Sequence, residues 1–358
     1  MKYPLFRLFL ILALALCARA SSGDRALEYI QCVDLCNAER CSQPNSEASL
    51  PFTLRLTRWT CKDDCKYRCM HEITSRQIHL KERVHQYHGK WPFWRLWGMQ
   101  EPASVAFSLL NMWAHVKGAA KIRRRVSNNH PMRPYYLTWS VISVNAWIWS
   151  SVFHTRGEWP DAICWGVSYL WADLPFTEKM DYFAAALAIM YALYYTIIRL
   201  YHLYEPQPFT RLTPLYPRTK SRKLRRWLAA ACTLSYIAHV SYLTLLPRFD
   251  YTYNMAFNLT LGMLHNALWG VYALPKLNLL KRFPSRPKTY HPNFVGKAGV
   301  FVLLTTAATG LELFDFPPWG RTIDAHALWH LVTAPIALFW YDFLVEDALD
   351  PSWREPKM

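Results

Sequence analysis

The stretch AHALWHLVTAPIALFWYDFLVE, residues 325–346, is apolar for 22 residues and opens with two histidines, His326 and His330, four positions apart. A helix needs about 20 such residues to cross the hydrocarbon core of a bilayer. The four-residue spacing places both imidazoles on one helical face, one turn apart. Six more segments of this kind precede it, at roughly 98–117, 135–154, 181–200, 226–246, 253–274 and 297–315. Composition agrees, with 52% apolar, 16% aromatic and only 18% charged residues among 358. That balance belongs to a membrane protein. The expected fold is therefore all-α, a seven-helix transmembrane bundle.

The net charge of +16 is not spread over one soluble face but gathered between apolar segments. The first connection holds Lys117, Lys121, Arg123, Arg124, Arg125 and Arg133. The third holds seven basic residues from Arg211 to Arg226, and the fifth holds Lys276, Lys281, Arg282, Arg286, Lys288 and Lys297. The alternate connections are acidic or balanced, with Asp161, Asp173, Glu178 and Asp181, then Arg248 and Asp250, then Asp315, Arg321 and Asp324. Such an asymmetry puts the basic connections and the carboxyl terminus in the cytosol. The charge thus reports topology, and a nucleic-acid partner is excluded.

Upstream of the apolar segments, residues 1–20 read as a cleaved signal peptide: a basic start, an apolar run from Leu8 to Cys17, and Ala18-Arg19-Ala20 as the small-residue cleavage site. An uncleaved anchor is the competing reading. Residues 21–95 form a polar region that ends in the aromatic-basic stretch YHGKWPFWR, 87–95, suited to a membrane interface. Cys32, Cys36, Cys41, Cys61, Cys65 and Cys69 all fall in this region. In the secretory pathway six cysteines predict three disulfides in a small lumenal domain, and fifteen pairings are open. Cys61, Cys65 and Cys69 also share a helical face, the alternative being a zinc knuckle. Cys164 and Cys232 lie in apolar context and read as packing residues. Residues 157–172 are apolar but short and contain Pro160, which suggests a lumenal interfacial or re-entrant piece.

Ionisable groups within spanning segments are costly, and five candidate residues reach the lumenal face. Ser150 and His154 lie one turn apart at the end of the second segment, Asp181 opens the third, and His326 and His330 open the seventh. Three imidazoles with an open fourth position make a hydrolytic zinc site, in which bound water loses a proton near neutral pH. Asp181 would orient or deprotonate that water, and Ser150 would donate a hydrogen bond to it or to the developing oxyanion. The plain readings stand beside these: an interhelical hydrogen-bonding His pair, a packing Ser150 and a helix-capping Asp181. A Ser-His-Asp triad lacks the nucleophile-elbow glycines. Glu312 with Asp315, and Arg248 and Asp250 with Tyr251, Tyr253 and Asn254, sit at lumenal boundaries and can shape a headgroup site or pair locally. His265 reads as a packing residue, and the glycosylation pattern at Asn258 is discounted because it falls inside a segment.

Several strings are long and specific: WTCKDDCKYRCM at 59–70, HGKWPF at 88–93, QEPAS at 100–104, FHTR at 153–156, TEKMDYF at 177–183, RFDY at 248–251 and DAHALWH at 324–330. They resemble the post-GPI attachment to proteins factor 3 family, Per1-like GPI lipid-remodelling hydrolases, over nearly the whole mature chain. That family resembles a wider group of seven-span hydrolases, including alkaline ceramidases and adiponectin-receptor-like proteins. Their shared pattern matches Ser150, His154, Asp181, His326 and His330. The resemblance implies zinc as cofactor, with His154, His326 and His330 as ligands and Ser150 and Asp181 as catalytic residues. It implies removal of the sn-2 acyl chain from GPI-anchored proteins, in the endoplasmic reticulum membrane or alternatively the Golgi. It places a hydrolase core at 96–348 and a short cytosolic tail at 349–358. The chain departs from the pattern in separating His154 from Asp181 by 27 positions; removing residues 157–172 leaves 11, so that segment reads as an insertion. Two other functions fit the same architecture: a seven-span receptor with a structural zinc, and a non-catalytic chaperone or sorting factor for GPI-anchored proteins.

Overall fold

Three disulfides, Cys32–Cys69, Cys36–Cys65 and Cys41–Cys61, form a ladder in which one strand of the chain is read forwards and the other backwards. The ladder joins helix α1 (Leu27–Cys36) and the π-helical turn that follows it to helix α3 (Cys61–His79). Cysteines four apart on each helix face the partner helix once per turn, so two antiparallel helices can be bridged at successive turns. The zinc-knuckle alternative fails here, because all three sulfurs on α3 are already oxidised. Closing loops of this length constrains the unfolded chain by about 3 kcal/mol per bridge.

The computed structural model describes residues 21–43, 45–156, 176–205, 218–246, 249–274 and 279–353. The expected signal peptide, the 157–172 segment, Cys164, Arg248 and the end of the tail lie outside these residues. Among the described residues the protein is helical without strands, and it divides into two compact units. The first comprises residues up to Gln100 together with Phe316–Asp324; the second comprises Glu101–Asp315 and the chain from Ala325 onward.

In the first unit, α2 (Phe52–Leu56) precedes α3, whose start is fixed by a capping box. The Thr60 hydroxyl accepts from the Asp63 amide at 3.2 Å, and Asp63 accepts from the Thr60 amide at 3.1 Å. Asp64 is buried and takes hydrogen bonds from Arg68 (2.6 Å) and Arg95. Burial pushes its carboxyl up, but the two guanidiniums outweigh that and hold it below the usual carboxylate range. The 316–324 excursion is tied in through Arg321, which donates to Ser75 Oγ at 3.0 Å and meets His71 Nδ1 at 3.0 Å.

The second unit contains seven long helices among the described residues: α4 (Pro102–Arg125), α5 (Arg133–Thr155), α6 (Phe176–Leu200), α7 (Arg218–Leu245), α8 (Tyr251–Ala273), α9 (Val295–Leu313) and α10 (Ala325–Leu349). Proline in the first turn starts α4 and α5, where its missing N–H costs nothing. Asp250 caps α8 by accepting from the Tyr253 amide at 2.9 Å. Six helices close a ring in the order α4, α5, α6, α8, α9, α10 and back to α4, while α7 packs mainly on the outside of α6. Among the described residues three helices, α6, α7 and α10, are long and apolar enough to cross a membrane. Of the rest, α4, α5 and α8 carry more Ser, Asn, Trp or Tyr, and α9 is short and carries Lys297 and Glu312. Helix α6 includes Asp181 in its second turn, so that residue lies inside the helix and does not cap it.

Ring closure has polar fasteners. Tyr341 on α10 donates to Ser140 of α5 at 2.8 Å and lies 2.9 Å from His115 Nδ1 of α4. At the far end of the bundle from the paired histidines, Arg199 of α6 forms a fully buried bidentate pair with Asp347 of α10, at 2.8 and 2.6 Å. Tyr272 and the Arg282 carbonyl complete the hydrogen bonding of that pair. Satisfying every charged atom in this way is what makes burying an ion pair tolerable.

Candidate metal centre

Helix α5 ends with His154, and α10 begins with His326 and His330; the ring sets these two ends side by side through their shared neighbour α4. The three Nε2 atoms converge. His154 lies 3.3 Å from each of the other two, and His326 and His330 are 2.9 Å apart. If each Nδ1 holds its ring proton, three lone pairs are pressed together, an arrangement that calls for an electrophile at their centre. A zinc ion held tetrahedrally at about 2.0–2.1 Å from each nitrogen sets the ligands roughly 3.3–3.4 Å apart, close to the spacing found. The donor set also fits, since neutral imidazole suits zinc and its transition-metal neighbours. Three protein ligands leave a fourth position for water or substrate.

The outward nitrogens support this reading. His154 Nδ1 meets Glu101 Oε2 at 2.8 Å, and His326 Nδ1 meets Glu312 Oε2 at 2.8 Å. A carboxylate on Nδ1 fixes the tautomer that presents Nε2 as a lone pair and raises its basicity. Glu101 grips His154 twice, because its amide also donates to the His154 carbonyl at 3.0 Å. His330 is held through its main chain: Asn111 of α4 donates to its carbonyl at 2.5 Å. The His330 Nδ1 has no hydrogen-bond partner among the described residues. His154 and His330 are each 2% exposed, whereas the His326 side chain is 35% exposed, so access to the centre is from the His326 side.

Of the residues singled out from the sequence, the three histidines form one cluster. Ser150 is buried one turn below His154, its hydroxyl 3.0 Å from that of Ser108 on α4. Asp181 is not one of the clustered ligands; it is half-buried on α6, and like Glu312 it lies near enough to the Tyr182 phenol to act on it electrostatically. Among the described residues a second close group, Cys41, Cys61 and Cys65, consists of disulfide sulfurs and offers no thiolate. His265 packs between Phe301 and Trp340, and Asn258 bonds Asn254 within α8, as their apolar setting suggests.

Glu101, Ser108 and Asn111 were not legible as site residues, and Glu312 was legible only as a boundary carboxylate. For the two glutamates the available signal was an ionisable group at a helix end.

The Per1-like family model matches residues 51–348. A Schizosaccharomyces pombe relative, Protein PER1 homolog, is 36% identical, covering 96% of this chain and 92% of its own. A Xenopus laevis relative, GPI-specific phospholipase A2-like PGAP3, is 36% identical over 95% of this chain and 94% of its own. The Homo sapiens protein of that name is 34% identical over 96% and 94%. No solved structure matches. With a family model spanning most of the chain and relatives aligned almost end to end, this chain belongs to the Per1-like family.

Proposed function

We propose that this chain removes the sn-2 acyl chain from the lipid of GPI-anchored proteins, by metal-dependent hydrolysis at the lumenal face of the endoplasmic reticulum membrane. In this reading α4–α10 all cross the bilayer, the disulfide-bonded unit is lumenal and the tail is cytosolic. The observation that carries the chemistry is the convergence of three Nε2 atoms, with the outward nitrogens of His154 and His326 resting on Glu101 and Glu312. Relatives named GPI-specific phospholipase A2-like supply the substrate class.

A divalent ion, zinc by donor chemistry, would supply Lewis acidity toward the ester carbonyl and lower the pKa of a water. The protein's own groups do the rest. His154, His326 and His330 would hold the ion, and Glu101 and Glu312 keep the His154 and His326 rings in the ligating tautomer. Asp181 is assigned the proton of the attacking water, and Ser150, already paired with Ser108, a hydrogen bond to the oxygen that gains charge. An ester in a glycerolipid sits at the interface between acyl chains and water, the depth at which helix ends lie.

The test is mass spectrometry of GPI-anchor lipids from cells lacking the protein, rescued with the native chain or with His326→Ala at matched expression. Native chain should restore the lyso or remodelled lipids, and His326→Ala should not. Full rescue by His326→Ala would make the cluster structural.

A further inference from the structure

Four basic side chains, Lys117, Lys121, Arg124 and Arg125, line one cleft of about 650 Å³ between α4 and α10. The opposite wall is apolar, made by Leu338 and the ring of Tyr341. Gly118 lies between them, and a Cβ there would fall 2.1 Å from that ring, so no side chain fills the groove. Lys121 is paired with Asp342. Lys117, Arg124 and Arg125 have no carboxylate partner among the described residues; Lys117 instead lies 5.6 Å from the Trp113 ring.

Elsewhere on the basic connections several cations are matched. Arg225 and Arg222 share Glu205, Lys297 holds Glu346, and Arg282 is spent on three carbonyls. The negative end of the α4 dipole accounts for arginines in its last turn. It does not account for Lys117, two turns earlier, lining the same cleft. Positive-inside bias accounts for the number of charges and not for their convergence.

We infer that this cleft binds the phosphate of an anionic phospholipid from the cytosolic leaflet. Arginine forks match phosphate oxygens bidentately, and basic pockets between membrane helices on the cytosolic side take anionic headgroups. The apolar wall beside the cations favours a lipid over a free phosphate, because it offers the first methylenes a surface. The site lies on different turns of α4 and α10 from the histidine cluster.

The full chain is placed in phosphatidylcholine nanodiscs with a small fraction of phosphatidylinositol 4-phosphate, and retained lipid is read by native mass spectrometry. Each basic residue near the surface is worth about fivefold, so K117Q/R124Q/R125Q should weaken retention roughly 100-fold. The pair R222Q/R225Q, on the matched connection, should leave retention unchanged. Native-like retention by the triple variant overturns the site, and equal loss in the control pair reduces it to diffuse leaflet attraction. Displacement of the lipid by an equal concentration of soluble inositol 1,4-bisphosphate overturns the lipid assignment. If the triple variant fails to fold, the exposed Lys117→Gln alone is read, with about fivefold loss expected and none fatal to the proposal.

Discussion

Glu101 acts on His154 from both ends of that residue, taking the ring proton with its carboxylate and the main-chain carbonyl with its amide. It sits immediately before Pro102, so the turn that starts α4 also aims the carboxylate. Removing such a carboxylate typically costs 10–100-fold in metal affinity. Glu101→Ala should therefore release metal to a competing chelator at 10–100-fold lower chelator strength, and Glu101→Gln, which keeps an acceptor, should fall between it and the native chain. Unchanged metal retention in the alanine variant would remove Glu101 from the centre. The three histidines were legible because their spacing, with the topology expected from the charge pattern, pointed them to one end of the bundle. Glu101 was not, since nothing in its own segment says which histidine it meets 53 positions later.

Helices were legible as apolar runs, and their boundaries erred where polarity and helicity part company. Segment 98–117 stops at the first lysine, yet α4 continues through Arg125, because arginine and lysine are good helix formers once water solvates their ends. The ring order, in which α10 returns to α4, was not legible: both helices are amphipathic only weakly, and the fit depends on Gly118. Its absent side chain lets the Tyr341 ring lie against the α4 backbone, and that ring is pinned by Ser140 and His115. Gly118→Ala should cost about 1–3 kcal/mol by overpacking, read as a lower unfolding midpoint in detergent. A midpoint at or above the native value would show that α10 has room to move.

At the scale of the molecule, the disulfide-bonded unit and the helical ring answer to different conditions. In the first unit His71 is enclosed between Tyr67 and Trp94, and donation toward the Phe93 carbonyl does not offset its burial. Burial foremost, and then Arg321 and Arg95, lower its pKa to about 4, against 6.5 for the exposed side chain. The unfolded state thus binds a proton that the folded state refuses between these values. Stability is full above about pH 6.5, falls as pH drops toward 4, and is level below. Heat-pulse proteolysis of the full chain across this range should show the first unit becoming more sensitive, and His71→Gln should flatten the trend. A native profile as flat as the variant's would mean that His71 is not the proton sink.

The order of the ring has a consequence in time. A chain is made from its amino terminus, and the centre joins Glu101 and His154, near the start of the ring, to His326 and His330 in its final helix, 172 and 176 positions after His154. Until that last helix is synthesised and docks on the first, the cluster has one imidazole of its three. Under the function proposed above, a chain that lacks its last helix should therefore be inactive, and activity should arrive only with the completion of the ring.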